Sequence, residues 1–126
     1  MVNFPYQKNA LGDFFPIIEL SVAYRKEAVK INTLVDSGAT VSVFRPQVAQ
    51  FLSLPINKCK EIFLGGVGGI KGYLHNLELG IADKKLVVPV VFSYEYTVSF
   101  NLLGREGIFK NFQILFKEKE HVVRFI

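Results

Sequence analysis

Leu34-Val35-Asp36-Ser37-Gly38-Ala39-Thr40 sets one carboxylate at the end of an apolar run and follows it at once with a hydroxyl and a glycine. Leu34 and Val35 suit a strand anchored in a core. Ser37 can hydrogen-bond neighbouring backbone, and Gly38 lets the chain turn where a Cβ would obstruct. The arrangement fits an acid that is held rigidly and used. By itself, an Asp-Ser-Gly turn is equally a plain turn or a helix cap. The 126 residues contain no second segment of this kind, so a mechanism needing two carboxylates needs a second copy of the chain.

Around this stretch the chain reads as short β segments punctuated by turn residues, a mostly-β single domain spanning residues 1–126. Ile17 to Val22 predicts a strand, with the turn at Arg25-Lys26-Glu27. In the next strand Val29, Ile31, Thr33 and Val35 fall on one face, and this strand delivers Asp36. Ala39 to Phe44 continues extended. Pro46 opens a short helix to Leu52, because proline fits a first helical turn. Glu61 to Leu64 and Tyr73 to Leu79 predict strands on either side of a glycine cluster. Leu86 to Phe92 predicts another, with Pro89 marking an edge or a bulge. Asn101 to Gly104 reads as a short strand, Arg105 to Lys110 as a helical turn, and Phe112 to Lys117 with His121 to Phe125 as a terminal hairpin.

Two further segments carry chemistry. Gly65-Gly66-Val67-Gly68-Gly69 gives an open backbone with an apolar tip. It cannot be a phosphate cradle, since no Gly-Lys-Ser/Thr follows and Lys71 stands where a G-x-G-x-x-G would end. It reads as a plain flexible hairpin or as a flap that closes over an extended ligand. Leu102-Leu103-Gly104-Arg105 reads as strand and turn, with the apolar pair packed beneath the aspartate turn. Leu34-Val35-Asp36-Ser37-Gly38 and Asn101-Leu102-Leu103-Gly104 also echo one another, as two related halves would.

In this order and spacing, the three segments resemble the retropepsin-like aspartic proteases, the family of the retroviral proteases and their cellular and prokaryotic relatives. The resemblance runs from about Ile17 to Phe109. It implies a closed β-barrel with one or two short helices, active as a homodimer to which each chain gives one catalytic aspartate, Asp36. It implies that Ser37 and Gly38 lock the two aspartate turns together across the dimer. Ala39 and the flap residues Gly65, Gly66, Val67, Gly68 and Gly69 would contact substrate, and Arg105 would brace the site from outside. Val41, Val43, Ile70 and Leu102 are candidate subsite walls. The implied activity is hydrolysis of peptide bonds in extended peptide or protein substrates, with no cofactor and no metal. The alternative is a catalytically silent peptide-binding or dimerisation module on the same fold, and a third reading is a small β-barrel adaptor in which the aspartate turn is coincidence. Thr40 departs from the viral pattern, which carries a further aspartate there, so Arg105 needs another partner such as Glu106 or a backbone carbonyl. The terminal hairpin also departs from it, replacing a single short interface strand.

Composition narrows the classes. Half the residues are apolar and the net charge is only +4, with cations scattered, so no nucleic-acid surface is expected. Cys59 is the sole cysteine and makes no internal disulfide. His75 and His121 have no metal-ligand spacing. The apolar run from Leu86 to Tyr94 is too short to cross a membrane as a helix, and Asp13, Pro16 and Glu19 interrupt any leader-like stretch. A soluble protein, cytoplasmic rather than secreted, is the expectation.

Overall fold

The computed structural model describes residues 1–65, 69–96 and 99–126. In chain order its strands are β1 (Val2–Pro5), β2 (Gln7–Lys8), β3 (Phe14–Phe15), β4 (Ile17–Tyr24), β5 (Glu27–Val35) and β6 (Ser42–Phe44), followed by helix α1 (Pro46–Phe51). Then come β7 (Lys60–Leu64), β8 (Ile70–Ile81), β9 (Lys84–Phe92), β10 (Asn101–Leu103), β11 (Ile114–Lys117) and β12 (Val122–Phe125). Six strands close on themselves in the order β4-β5-β10-β6-β9-β8, with β8 pairing back to β4. Closure leaves those six strands without a free end to the ring, and β7 adds to β8 outside it.

Period-two patterning explains what fills the barrel. Ile18, Leu20 and Val22 of β4, Ile31, Thr33 and Val35 of β5, and Leu77, Leu79 and Ile81 of β8 are all buried. Thr33 is the polar member of its face, and its hydroxyl donates to the Ile18 carbonyl at 3.4 Å, which satisfies it in the core. Val90, Val91 and Phe92 are consecutive and all buried, so both faces of β9 are covered where it lies between β6 and β8.

Of the two readings of Pro89, edge or bulge, the edge holds: the β8–β9 register runs unbroken through Asn76↔Pro89, and the β6 ladder begins only at Val90, so β9 has one neighbour strand there. Other local features differ from the sequence expectation. The sequence marks a turn at Ala82-Asp83-Lys84-Lys85, and in the structure it is the two residues Ala82 and Asp83, both with positive φ (48° and 68°), the geometry that matches strand twist. From Arg105 to Lys110 the Phe109 N–H reaches the Arg105 carbonyl at 3.0 Å, as in one helical turn, but no regular helix follows, since Gly107 takes φ 75°, outside helical space. The terminal hairpin β11–β12 forms, and β1 adds to it through Val2↔Phe125 to Pro5↔Val122. The two chain ends thus make their own three-stranded sheet.

Candidate active site

The aspartate turn is held from both sides. β5 and β10 run parallel with Leu34↔Leu102 and Val35↔Leu103 paired. The Asp36 main-chain N–H extends that ladder by donating to the Leu103 carbonyl at 3.0 Å. The side-chain Oδ1 accepts the Gly38 N–H at 2.9 Å, and the Ala39 N–H donates to the Asp36 carbonyl at 3.2 Å. A Cβ on Gly38 would stand 3.3 Å from that same Oδ1, so glycine is what lets the carboxylate lie over the turn. Asp36 is half-buried, while Ser37 and Gly38 are exposed. Among the described residues no cation pairs with Asp36 and the Ser37 hydroxyl has no partner.

The Leu102–Arg105 segment locks against this turn from its other side. Arg105 and Glu106 donate main-chain N–H groups to the carbonyls of Ala39 and Thr40 at 2.9 and 2.8 Å. The Gly104 N–H donates to Ser42 Oγ at 3.0 Å, inside the protein. A Cβ on Gly104 would lie 2.4 Å from the Val41 carbonyl carbon and oxygen, closer than any real contact, so the two loops touch backbone to backbone. Arg105 thus supports the turn through its main chain. Its side chain is exposed, has no ion-pair partner among the described residues, and lines a 400 Å³ depression with Thr40, Glu106, Phe109 and Lys110.

The glycine segment ends the β7–β8 hairpin, whose last described pair is Leu64↔Ile70. Gly65, at φ 83°, and Gly69 are exposed; Gly66, Val67 and Gly68 lie outside the described residues. The root of the hairpin is tied down. Ser93 Oγ, fully buried, donates to the Lys71 carbonyl at 2.6 Å, and the Lys71 N–H donates to the Glu95 carboxylate.

No protein-family model matches the chain, and no curated protein sequence matches it. Solved structures do. A retropepsin-like aspartic protease from Rickettsia conorii superposes with a TM-score of 0.68 at 20% identity, over 97% of this chain and 86% of that one. EIAV protease, in complex with the inhibitor HBY-793, superposes with a TM-score of 0.61 at 18% identity, over 83% of this chain and 93% of that one. The fold is retropepsin-like. At these identities the likeness is one of architecture, and the chemistry rests on this chain's own residues.

Within the retropepsin-like barrel several polar residues matter that the sequence reading did not single out. Asn101 accepts the Arg45 N–H at 2.8 Å and donates to the Asn32 carbonyl at 3.0 Å, joining three segments beside the site. Tyr96 donates its hydroxyl to the Phe100 carbonyl at 2.6 Å. Burial first, and then the charge of Asp36, push the Tyr96 phenol up to about 12, with Arg45 pulling the other way. Their sequence signal is a polar residue bordering apolar strand, as Ser42 and Asn101 do. Cys59 is half-buried, and burial pushes its thiol up, which disfavours the thiolate a nucleophile needs. Among the described residues no three metal-binding side chains converge, and no helix is long and apolar enough to cross a membrane.

Proposed function

We propose that the protein is an aspartic endopeptidase whose active unit is a homodimer with one Asp36 from each chain. The observation that carries this reading is a partly exposed carboxylate pinned at Oδ1 and at its main-chain N–H, with no counter-ion among the described residues, in a retropepsin-like fold. Two such groups about 3 Å apart cannot both ionise comfortably, so the pair keeps one proton over a window of pH. The ionised member takes a proton from water as the oxygen attacks the scissile carbonyl, and the protonated member donates to the carbonyl oxygen. Collapse of the tetrahedral species breaks the C–N bond with proton transfer to the departing amine. No covalent intermediate forms.

In this reading Ser37 and Gly38 join the two turns across the dimer, Ala39 and the glycine segment 65–69 hold an extended peptide, and Val41, Val43, Ile70 and Leu102 wall its subsites. The test is cleavage of an unstructured protein by the purified full chain. Asp36→Asn should reduce turnover by roughly 10²–10⁴-fold or more, the scale of general acid–base catalysis, with an unchanged circular dichroism spectrum. Undiminished turnover by that variant overturns the assignment.

A further inference from the structure

We propose that Arg45 is a specificity-determining residue that selects an acidic side chain in the peptide substrate. The proposal rests on the peptidase reading and names the substrate class for the same site. Leu34 of β5, Leu102 of β10 and Val43 of β6 are paired across neighbouring strands, so their side chains share one face. The alternate residues Val35, Leu103 and Phe44 point the other way and belong to the barrel core. The face bearing Leu34, Leu102 and Val43 is therefore the one turned away from the barrel core; Leu34 and Leu102 are partly exposed on it and Val43 is buried beside them, making a short apolar strip.

Both ends of that strip are polar. Asp36 follows Leu34 by two residues, and its bond to the Leu103 carbonyl keeps the strand alternation. Arg45 follows Val43 by two residues in extended backbone, φ −65° and ψ 145°. Because β5 runs parallel to β10 and β6 runs antiparallel to it, the carboxylate and the guanidinium stand at opposite ends. At roughly 3.3 Å per residue they are about 13 Å apart along the strands and, two strand spacings of about 4.8 Å across, roughly 16 Å apart in all, the span of about five residues of an extended peptide. A substrate cut at Asp36 and lying over the apolar strip would bring another side chain to Arg45.

The surroundings of Arg45 fit a carboxylate. It borders a depression of about 380 Å³ with Gln47, Gln50, Tyr94, Tyr96 and Ser99, and among the described residues no acidic one lines it. The amides, hydroxyls and guanidinium of that lining supply N–H and O–H donors, and Arg45 has no ion-pair partner among the described residues. Tyr96 is a positioning residue, because its proton is already committed to the Phe100 carbonyl. The influence of both Asp36 and Arg45 on its phenol puts that ring within electrostatic reach of the two ends of the strip.

A proteome-derived peptide library digested by the full chain tests this, with cleavage sites read by mass spectrometry. The wild type should enrich Asp and Glu at one position within about five residues of the cut. The Glu-to-Gln preference there should fall at least about tenfold in Arg45→Glu and survive in Arg45→Lys, with both variants checked for native circular dichroism. No acidic enrichment, or enrichment that survives Arg45→Glu, overturns the subsite. Absence of cleavage by the wild type would instead overturn the peptidase reading. An array of extended peptides differing only in Glu, Gln or Lys then decides the subsite separately: retention of Glu peptides by the wild type but not by Arg45→Glu supports it, and equal retention sinks it.

Discussion

Gly104→Ala should be the most damaging single-methyl change available near the site, and its cost can be worked from contacts. The new Cβ would meet the Val41 carbonyl group at 2.4 Å and the Ser42 nitrogen at 2.8 Å. These are backbone atoms of the chain leading from the aspartate turn into β6, and they cannot rotate aside. Forcing them apart costs about 1–3 kcal/mol as overpacking. The same shift strains the buried Gly104 N–H to Ser42 Oγ bond, and an unpaired buried donor costs about 1–3 kcal/mol more. The total of about 2–6 kcal/mol is a large share of the 5–15 kcal/mol typical of a domain, and it lowers the melting temperature by roughly 8–24 °C. Gly80→Ala is the matched control. Its Cβ would lie even closer to a neighbour, 2.3 Å from Ser21 Oγ, yet that atom is the end of a rotatable side chain opposite Gly80 on the barrel seam. It should cost no more than about 1 kcal/mol. Urea and thermal denaturation of the two variants provide the comparison. If Gly104→Ala costs no more than Gly80→Ala, the backbone interlock beneath Asp36 is wrong.

Other outcomes follow from single contacts. Ser37→Ala removes an exposed hydroxyl, proposed to bond across the dimer, from both chains at once; at about 0.5–1.5 kcal/mol per bond the dissociation constant should rise roughly five- to hundredfold, and unchanged self-association by sedimentation refutes that role. Tyr6 donates to Glu118 at 2.9 Å, and burial, then that bond and charge, raise its phenol from 10.0 to about 12. The neutral phenol therefore contributes stability fully below pH 10 that is lost as pH rises through about 12. Tyr6→Phe should flatten the stability profile between those values, and an unaltered alkaline slope contradicts the assignment.

The barrel was legible because its strands alternate cleanly: Val29, Ile31, Thr33 and Val35 were assigned one face, and the last three are buried. The echo between Leu34–Gly38 and Asn101–Gly104 corresponds to a parallel strand pair. What could not be read locally depends on distant partners. β1 has only Val2 and Phe4 to mark it and is defined by a strand more than a hundred residues away. The Ala82-Asp83 turn takes two positive φ angles without glycine, so Asp83 marks a turn here while its two-residue length is not marked. Ser42, Ser93, Tyr96 and Asn101 act through hydrogen bonds whose other halves come from elsewhere in the chain or across a loop. The bracing of Arg105 was sought in its side chain, whereas the bonds run from its main chain to Ala39, a contribution any residue type could make and none advertises.

The account turns on whether two copies of Asp36 meet. A crystal structure of the assembled protein measures this directly. Carboxylate oxygens of the two Asp36 residues should lie about 3 Å apart across a two-fold axis, sharing one water. An assembly in which each Asp36 faces solvent by itself, or a chain that stays monomeric while cleaving peptides, contradicts it.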